Sequence, residues 1–200
     1  MPVNSIVAHH YWGSPGGGQL VCASAAVTLS KVGLRPILTG TFRFEPAKYV
    51  DWYGIDISGY EVRTLIPINV KAFGLWTRLY VWKPVMNVVS RYDIKAVFID
   101  EETYKPLTRF RGSGLKIIEY IHFPFEVVVD PRFRGSGLAY GEDPYIMERY
   151  GRFPMNVYWG VFTRLLPRYL RENPFSDADL VLTNSRWTAG VAKLVYGEEP

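Results

Sequence analysis

The sequence predicts a doubly wound, parallel α/β domain, on three observations. Short apolar runs alternate with stretches of helical spacing along the whole chain. At least one of those runs, Ala96-Val97-Phe98-Ile99, is continuous rather than alternating, as in a strand covered on both faces. A glycine-rich turn, Pro15-Gly16-Gly17-Gly18-Gln19, joins the first strand to the first helix. The chain has 200 residues, 48% hydrophobic and 21% charged, enough to enclose a full core, so residues 1–200 read as a single domain.

In chain order, residues 3–9 form the first strand. Residues 18–32 form the first helix, apolar along Leu20, Val21, Ala23, Ala25, Val27 and Leu29 and closed by Gly33. Arg35 to Thr41 is the second strand and residues 60–67 the third, ended by Pro67. Residues 72–90 read as a helix that Pro84 kinks or splits. Asp93 to Asp100 and Leu115 to Pro124 are buried strands. Residues 125–150 read as an irregular region, too long for an ordinary connection. Residues 155–171 are helical, Ala178 to Thr183 is the last strand, and a helix starts at Ser185.

Composition narrows the setting. The net charge is +4, a mild bias toward anionic partners such as phosphate or a lipid headgroup. The single cysteine, Cys22, excludes an intrachain disulfide and sits in a helical pattern as a core thiol. The first ten residues lack the basic start and long apolar run of a signal peptide. No apolar stretch reaches the ~18–20 residues of a membrane-spanning helix, so a cytoplasmic location is expected.

The candidate site residues gather at one edge of this sheet. A helix start offers free amides and partial positive charge, so Gly16, Gly17 and Gly18 suit a phosphate or a sugar hydroxyl; a turn that only lets the chain bend is the alternative. Neither G-x-G-x-x-G nor a P-loop is present, which argues against a dinucleotide enzyme or a P-loop nucleotidase. His122 ends a central strand on the same edge and could donate to a hydroxyl or phosphate; the alternative is a half-buried ring bonded to backbone. His9 and His10 are adjacent and, in a strand, point to opposite faces, so one of them at most joins His122. With three His and one Cys, a His-rich metal site is not expected. Asn184 and Ser185 lie between the last strand and helix, where Ser185 with Thr188 reads as an N-cap. Glu101 and Glu102 are either an acid–base pair or part of a solvated loop.

Two further features concern surfaces. Residues 155–171 combine Tyr158, Trp159, Phe162, Leu165 and Leu166 with Arg164, Arg168 and Arg171, and Trp76, Arg78, Tyr80, Trp82 and Lys83 give a similar mix. Such faces suit a membrane surface or bury their aromatics in an amphipathic core helix. Arg109 to Leu115 recurs identically as Arg132 to Leu138, as two cationic loops near an anionic ligand or as two solvated turns.

Taken in order, Pro15-Gly16-Gly17-Gly18-Gln19, Tyr120-Ile121-His122-Phe123-Pro124 and Ala178 to Thr188 resemble the N-terminal domain of a family-4 glycosyltransferase of the GT-B fold. The look is closest to the branch of α-1,2-mannosyltransferases that extend lipid-linked oligosaccharides. The resemblance covers essentially the whole chain. It implies a Rossmann-like acceptor-binding half of an enzyme that transfers a sugar with retention from a nucleotide-sugar to a glycan or lipid-linked acceptor, with no metal or other cofactor. It implies that Gly16 and Gly17 approach the donor through backbone amides, that His122 lies near the transferred sugar, and that Asn184 and Ser185 face the interdomain cleft, with His10 and Gly18 beside them. The donor-binding C-terminal domain of that family has no counterpart in these residues, so a further domain or partner subunit is implied and the chain alone is expected to be inactive. The aromatic-basic stretches would rest on the cytoplasmic face of a membrane; nucleic acid is not an expected partner. The rival expectation is a non-catalytic module that docks a protein partner or an anionic membrane.

Overall fold

The computed structural model describes residues 3–70, 73–133, 135–136 and 144–200. The elements are β1 (Val3–Ala8), α1 (Gly17–Lys31), β2 (Leu34–Phe42), α2 (Lys48–Tyr53), β3 (Glu61–Ile66), α3 (Gly74–Leu79), α4 (Trp82–Val89) and β4 (Ile94–Ile99). There follow β5 (Lys116–Ile121), α5 (Glu126–Val129), α6 (Pro144–Tyr150), α7 (Met155–Leu165), α8 (Pro174–Asp177), β6 (Leu180–Thr183) and α9 (Arg186–Tyr196). All six strands pair in parallel in the order β3-β2-β1-β4-β5-β6. This is the Rossmann-like, doubly wound sheet, with its order reversing between β1 and β4.

The two-residue period of the strands sorts the core into two layers. Ile6, Ala8, Ile37, Val97 and Ile99 face Val81, Val85 and Val88 around α4. Val7, Leu38 and Phe98, one residue out of phase, face Cys22, Ala23 and Ala26 of α1, with Tyr49 and Ile57 beyond. Both faces of the central strands are therefore apolar, which is why Ala96-Val97-Phe98-Ile99 reads as a continuous run. A third cluster joins Leu79, Phe125, Phe162 and Leu166. It ties α3 and α7 together.

Some elements differ from the sequence pattern, each for a local reason. The helix expected over 72–90 is two, broken at Tyr80-Val81; Pro84 is the third residue of α4, where an N–H would have no intrahelical partner. The helix expected over 155–171 stops at Leu165 and tightens into a 3-10 turn, Leu166–Arg168, around Pro167. The region 125–150 contains α5, a 3-10 turn at Pro131–Phe133 and α6, and part of it lies outside the described residues. The short helices α2 and α8 were not expected.

The heptapeptide repeat makes one turn twice. Ser113 donates through both N–H and Oγ to the Phe110 carbonyl at 3.0 and 2.5 Å, and Ser136 does the same to Phe133 at 3.1 and 2.6 Å. Gly112 and Gly135 sit in the left-handed region at φ 80° and 73°. Arg109 and Arg132 each lie over the following phenylalanine ring. The first copy leads into the amino end of β5, at the opposite edge of the sheet from His122. The first copy therefore does not reach the edge that carries His122; its tip is exposed while Phe110 packs on the core and Leu115 is buried. Arg134, Gly137 and Leu138 of the second copy lie outside the described residues.

Candidate functional site

In an open parallel sheet the crevice at the carboxyl ends of the strands, where the order reverses, is the place for a ligand. Here the register builds it directly. Ala8 of β1 is paired with Ile99 of β4. The next residues therefore emerge side by side, His9 with Asp100 and His10 with Glu101. His9 Nδ1 donates to Asp100 Oδ1 at 2.8 Å, and His122 Nε2, arriving from β5, donates to Asp100 Oδ2 at 3.2 Å. One carboxylate thus holds two imidazoles and fixes the tautomer of each. His10 Nδ1 hydrogen bonds to Glu101, whose other oxygen accepts from Arg78 Nε. The ring of His122 is part-exposed, whereas His9, Asp100 and Glu101 are buried.

Charge follows from this packing. Burial disfavours the charged form of Asp100, but the His9 charge and the hydrogen bonds from both histidines outweigh it and hold the carboxyl well below its usual range. Burial pushes His9 down, yet Asp100 leaves it raised overall; in His10 burial wins over Glu101 and its pKa is lowered. Glu101 is held low despite burial by Arg78 and His10. Glu102 has no such partner for one of its oxygens; burial raises it to about 7, with Glu101 beside it adding to the effect. The solvated loop considered for Glu101 and Glu102 is corrected, since both carboxylates are buried.

The glycine turn presses on this cluster at one point. A Cβ on Gly18 would lie 2.8 Å from Asp100 Oδ2, 2.9 Å from His9 Cε1 and 3.5 Å from His122 Nε2. The start of α1 can lean on the carboxylate only because residue 18 has no side chain. Gly17 meets nothing within 4 Å. Gly16 donates its N–H to Tyr53 Oη at 2.5 Å, so this amide is already engaged, while the amides of Gly17 and Gly18 fall in the first turn and have no intrahelical partner. Asn184 Nδ2 donates to the His122 carbonyl at 3.1 Å, and its Oδ1 accepts from Thr188 Oγ1 at 2.6 Å. Ser185 is the N-cap of α9, its Oγ accepting from Thr188 N at 3.1 Å. Asn184 and Ser185 are thus exposed residues that anchor α9 and the backbone of His122.

His10 stands apart from His122. It lines a cavity of about 890 Å³ that runs from Tyr11 and Ser14 past Arg78 toward Phe73, Leu75 and Tyr158. The cavity has a cationic side at Arg78 and largely apolar and aromatic walls. Tyr158 Oη is fixed there by the Leu75 N–H at 3.2 Å. Among the described residues, two triads bring potential metal donors within 4.8 Å, His9-Cys22-Asp100 and His9-His10-Glu101. In each, a histidine and a carboxylate already satisfy one another by hydrogen bonding.

Of the sequence-predicted residues, Gly18, His122 and Asn184 meet at the crevice, His10 borders it, and Gly16, Gly17 and Ser185 flank it. Of the two adjacent histidines it is His9, not His10, that joins His122, through Asp100; Asp100 and Arg78 were missed as site residues. Asp100 had one available signal, its place directly after a buried apolar run at the ligand edge. No protein-family model matches this chain, and no curated protein matches it.

Proposed function

We propose that this domain is the acceptor-binding half of a glycosyltransferase that moves a sugar from a nucleotide-sugar to a glycan or lipid-linked acceptor. The observation that carries the reading is the part-exposed His122 ring, oriented by the buried Asp100 at the switch point; a separate cavity with a cationic side and apolar walls is lined by His10 and Arg78, which share Glu101, the next residue after Asp100. An acceptor bearing a phosphate and an apolar part matches that cavity, with Arg78 and His10 near the anion. The amides of Gly17 and Gly18 would face the diphosphate of a donor held largely by a second domain or subunit. With Nε2–H committed to Asp100, His122 keeps Nδ1 as the ring atom able to bond a sugar hydroxyl. A carboxylate shared by two histidines at the ligand edge favours this reading over a non-catalytic docking module.

The test measures transfer of labelled sugar from a panel of nucleotide-sugars to membrane lipid extract, with the chain joined to a donor-binding domain. His122→Ala should cut transfer about 100-fold or more, the size of a lost transition-state donor. Asp100→Asn, which leaves His122 in place but unoriented, should lower turnover more than it weakens acceptor binding. Full transfer by His122→Ala, with circular dichroism showing the variant folded, would sink the proposal.

A further inference from the structure

The sheet edge that carries His122 continues to β6, and there it presents an aromatic surface that the candidate site does not use. Five of the six tryptophans are buried or half-buried, whereas Trp187, the second residue of α9, is 61% exposed. The helix packs inward through Thr188, Val191 and Ala192, so this indole is not spent on holding it. Trp187 stacks instead on Phe123, the residue after His122, with ring centroids 5.6 Å apart and planes 19° from parallel. One face of the indole is thereby covered and the other is left to solvent. Hydrogen bonds set the pair in place. Asn184 Nδ2 donates to the His122 carbonyl at 3.1 Å, Asn184 Oδ1 accepts from Thr188 Oγ1 at 2.6 Å, and Ser185 Oγ accepts from Thr188 N at 3.1 Å. These bonds join the end of β5 to the start of α9, and so hold Phe123 against Trp187.

We propose that Trp187, backed by Phe123, is a stacking platform for the ring of a sugar. The C–H groups on one side of a pyranose carry partial positive charge and are drawn to the negative face of an indole. Its hydroxyls need hydrogen-bonding groups around that face. The surroundings of Trp187 match both needs. Asn184 and Gly190 lie one helical turn before and after it, and with Ser185 and Arg186 they are exposed and polar or without a side chain. A Cβ on Gly190 would meet nothing within 4 Å, so there is room beside the indole. A protein or lipid partner would be met by a contiguous apolar patch. A nucleobase is typically gripped on both faces and read at its edge, and here one face is already taken by Phe123. Position gives the platform its use. Along the carboxyl edge His10 of the cavity follows β1, His122 ends β5 and Trp187 follows β6, so His122 stands between the cavity and the platform. A ligand seated in the cavity would cross His122 before a sugar ring reached Trp187. The inference rests on the proposed transfer to a glycan and names the residue that holds one of its rings; the stacking itself is measured without transfer.

The experiment is nuclear magnetic resonance of the isotope-labelled 200-residue chain, following its indole N–H signals. The methyl glycosides of mannose, glucose, galactose and N-acetylglucosamine are added one at a time. Trp187→Phe identifies the Trp187 signal by its loss. At least one glycoside should shift that signal saturably and leave the signal of the buried Trp12 unmoved. Saturation transfer to the sugar protons then reads the variants. Trp187→Ala should weaken binding about tenfold, the worth of a stacked ring, and Trp187→Phe, which keeps a stacking face, should retain most of it. Both variants should keep the wild-type melting curve, since the side chain is exposed. No saturable shift with any glycoside, or binding that Trp187→Ala leaves intact, overturns the proposal. A shift with uridine or guanosine monophosphate and with no glycoside overturns it too, and assigns the indole to a base. If glycosides bind at Trp187 but no nucleotide-sugar supports transfer in the joined protein, the platform stands and the transferase reading falls. If His122→Ala abolishes transfer while Trp187 ignores every glycoside, the transferase reading stands and the platform falls.

Discussion

At the residue scale the most constrained position is Gly18, and its neighbour Gly17 is the control. Gly18→Ala places a methyl group 2.8 Å from Asp100 Oδ2, on atoms locked by two histidines. We expect it to cost about 1–3 kcal/mol, the usual penalty of overpacking. Gly17→Ala meets nothing within 4 Å and replaces a poor helix former at the first position of α1, so it should be neutral or stabilise by up to about 1 kcal/mol. Urea unfolding of the two variants checks the contrast; equal midpoints would remove the steric argument. Glu102 gives a second test. Its carboxyl ionises near 4.5 in the unfolded chain but at about 7 in the fold, so the folded protein binds the extra proton and stability declines as pH rises from 4.5 through 7. The decline amounts to roughly 3 kcal/mol for such a displacement. Glu102→Gln should leave stability unchanged below that window and raise it above, which chemical denaturation at a series of pH values will show. Neither Asp100 nor Glu102 could be ranked from the sequence. An acid after an apolar run looks the same whether it ends in solvent or between two histidines, and the β1–β4 register decides which.

At the scale of elements, legibility followed length and period. The central strands β1, β2 and β4 were readable because a strand buried on both faces is a continuous apolar run, and α1 because it ends at a glycine with φ 88°. Three of the helices, α2, α5 and α8, are too short to develop a hydrophobic period and were invisible. Pro84 signalled a break but not its position, since proline is tolerated in a first turn and the chain breaks ahead of it. In α7 the pattern located an amphipathic helix but could not say which side chains stay outside. Its packing is set by Leu79 and Phe125, far away in sequence. The repeated heptapeptide is the opposite case. Two distant settings give the same serine-to-phenylalanine turn, so that conformation is set locally.

At the scale of the whole molecule, a buried ion network joins parts of the chain that the sheet alone does not. Arg171, fully enclosed after α7, donates to Glu119 of β5 at 2.8 Å and pairs with Glu126 of α5. Tyr104 donates to Glu119 Oε2 at 2.5 Å, and Tyr196 of α9 bonds to both Arg171 and Glu126. The Arg171 N–H also donates to the Glu102 carbonyl at 3.1 Å, which links the network to the acidic end of β4 behind the crevice. Burial disfavours the charged guanidinium, but Glu119 outweighs it and keeps the pKa raised. A pair of this kind adds little over an apolar replacement, yet breaking it strands a charge. Arg171→Met should therefore cost about 3–5 kcal/mol, a large share of the 5–15 kcal/mol typical of a domain. Replacing Arg171, Glu119 and Glu126 together by apolar residues of similar volume should recover most of that loss. Denaturant unfolding of the single and triple variants measures both. If the single variant were as stable as wild type, the network would be incidental to the fold; if the triple were as unstable as the single, the packing around Tyr104 and Tyr196, not the stranded carboxylates, would hold these elements together.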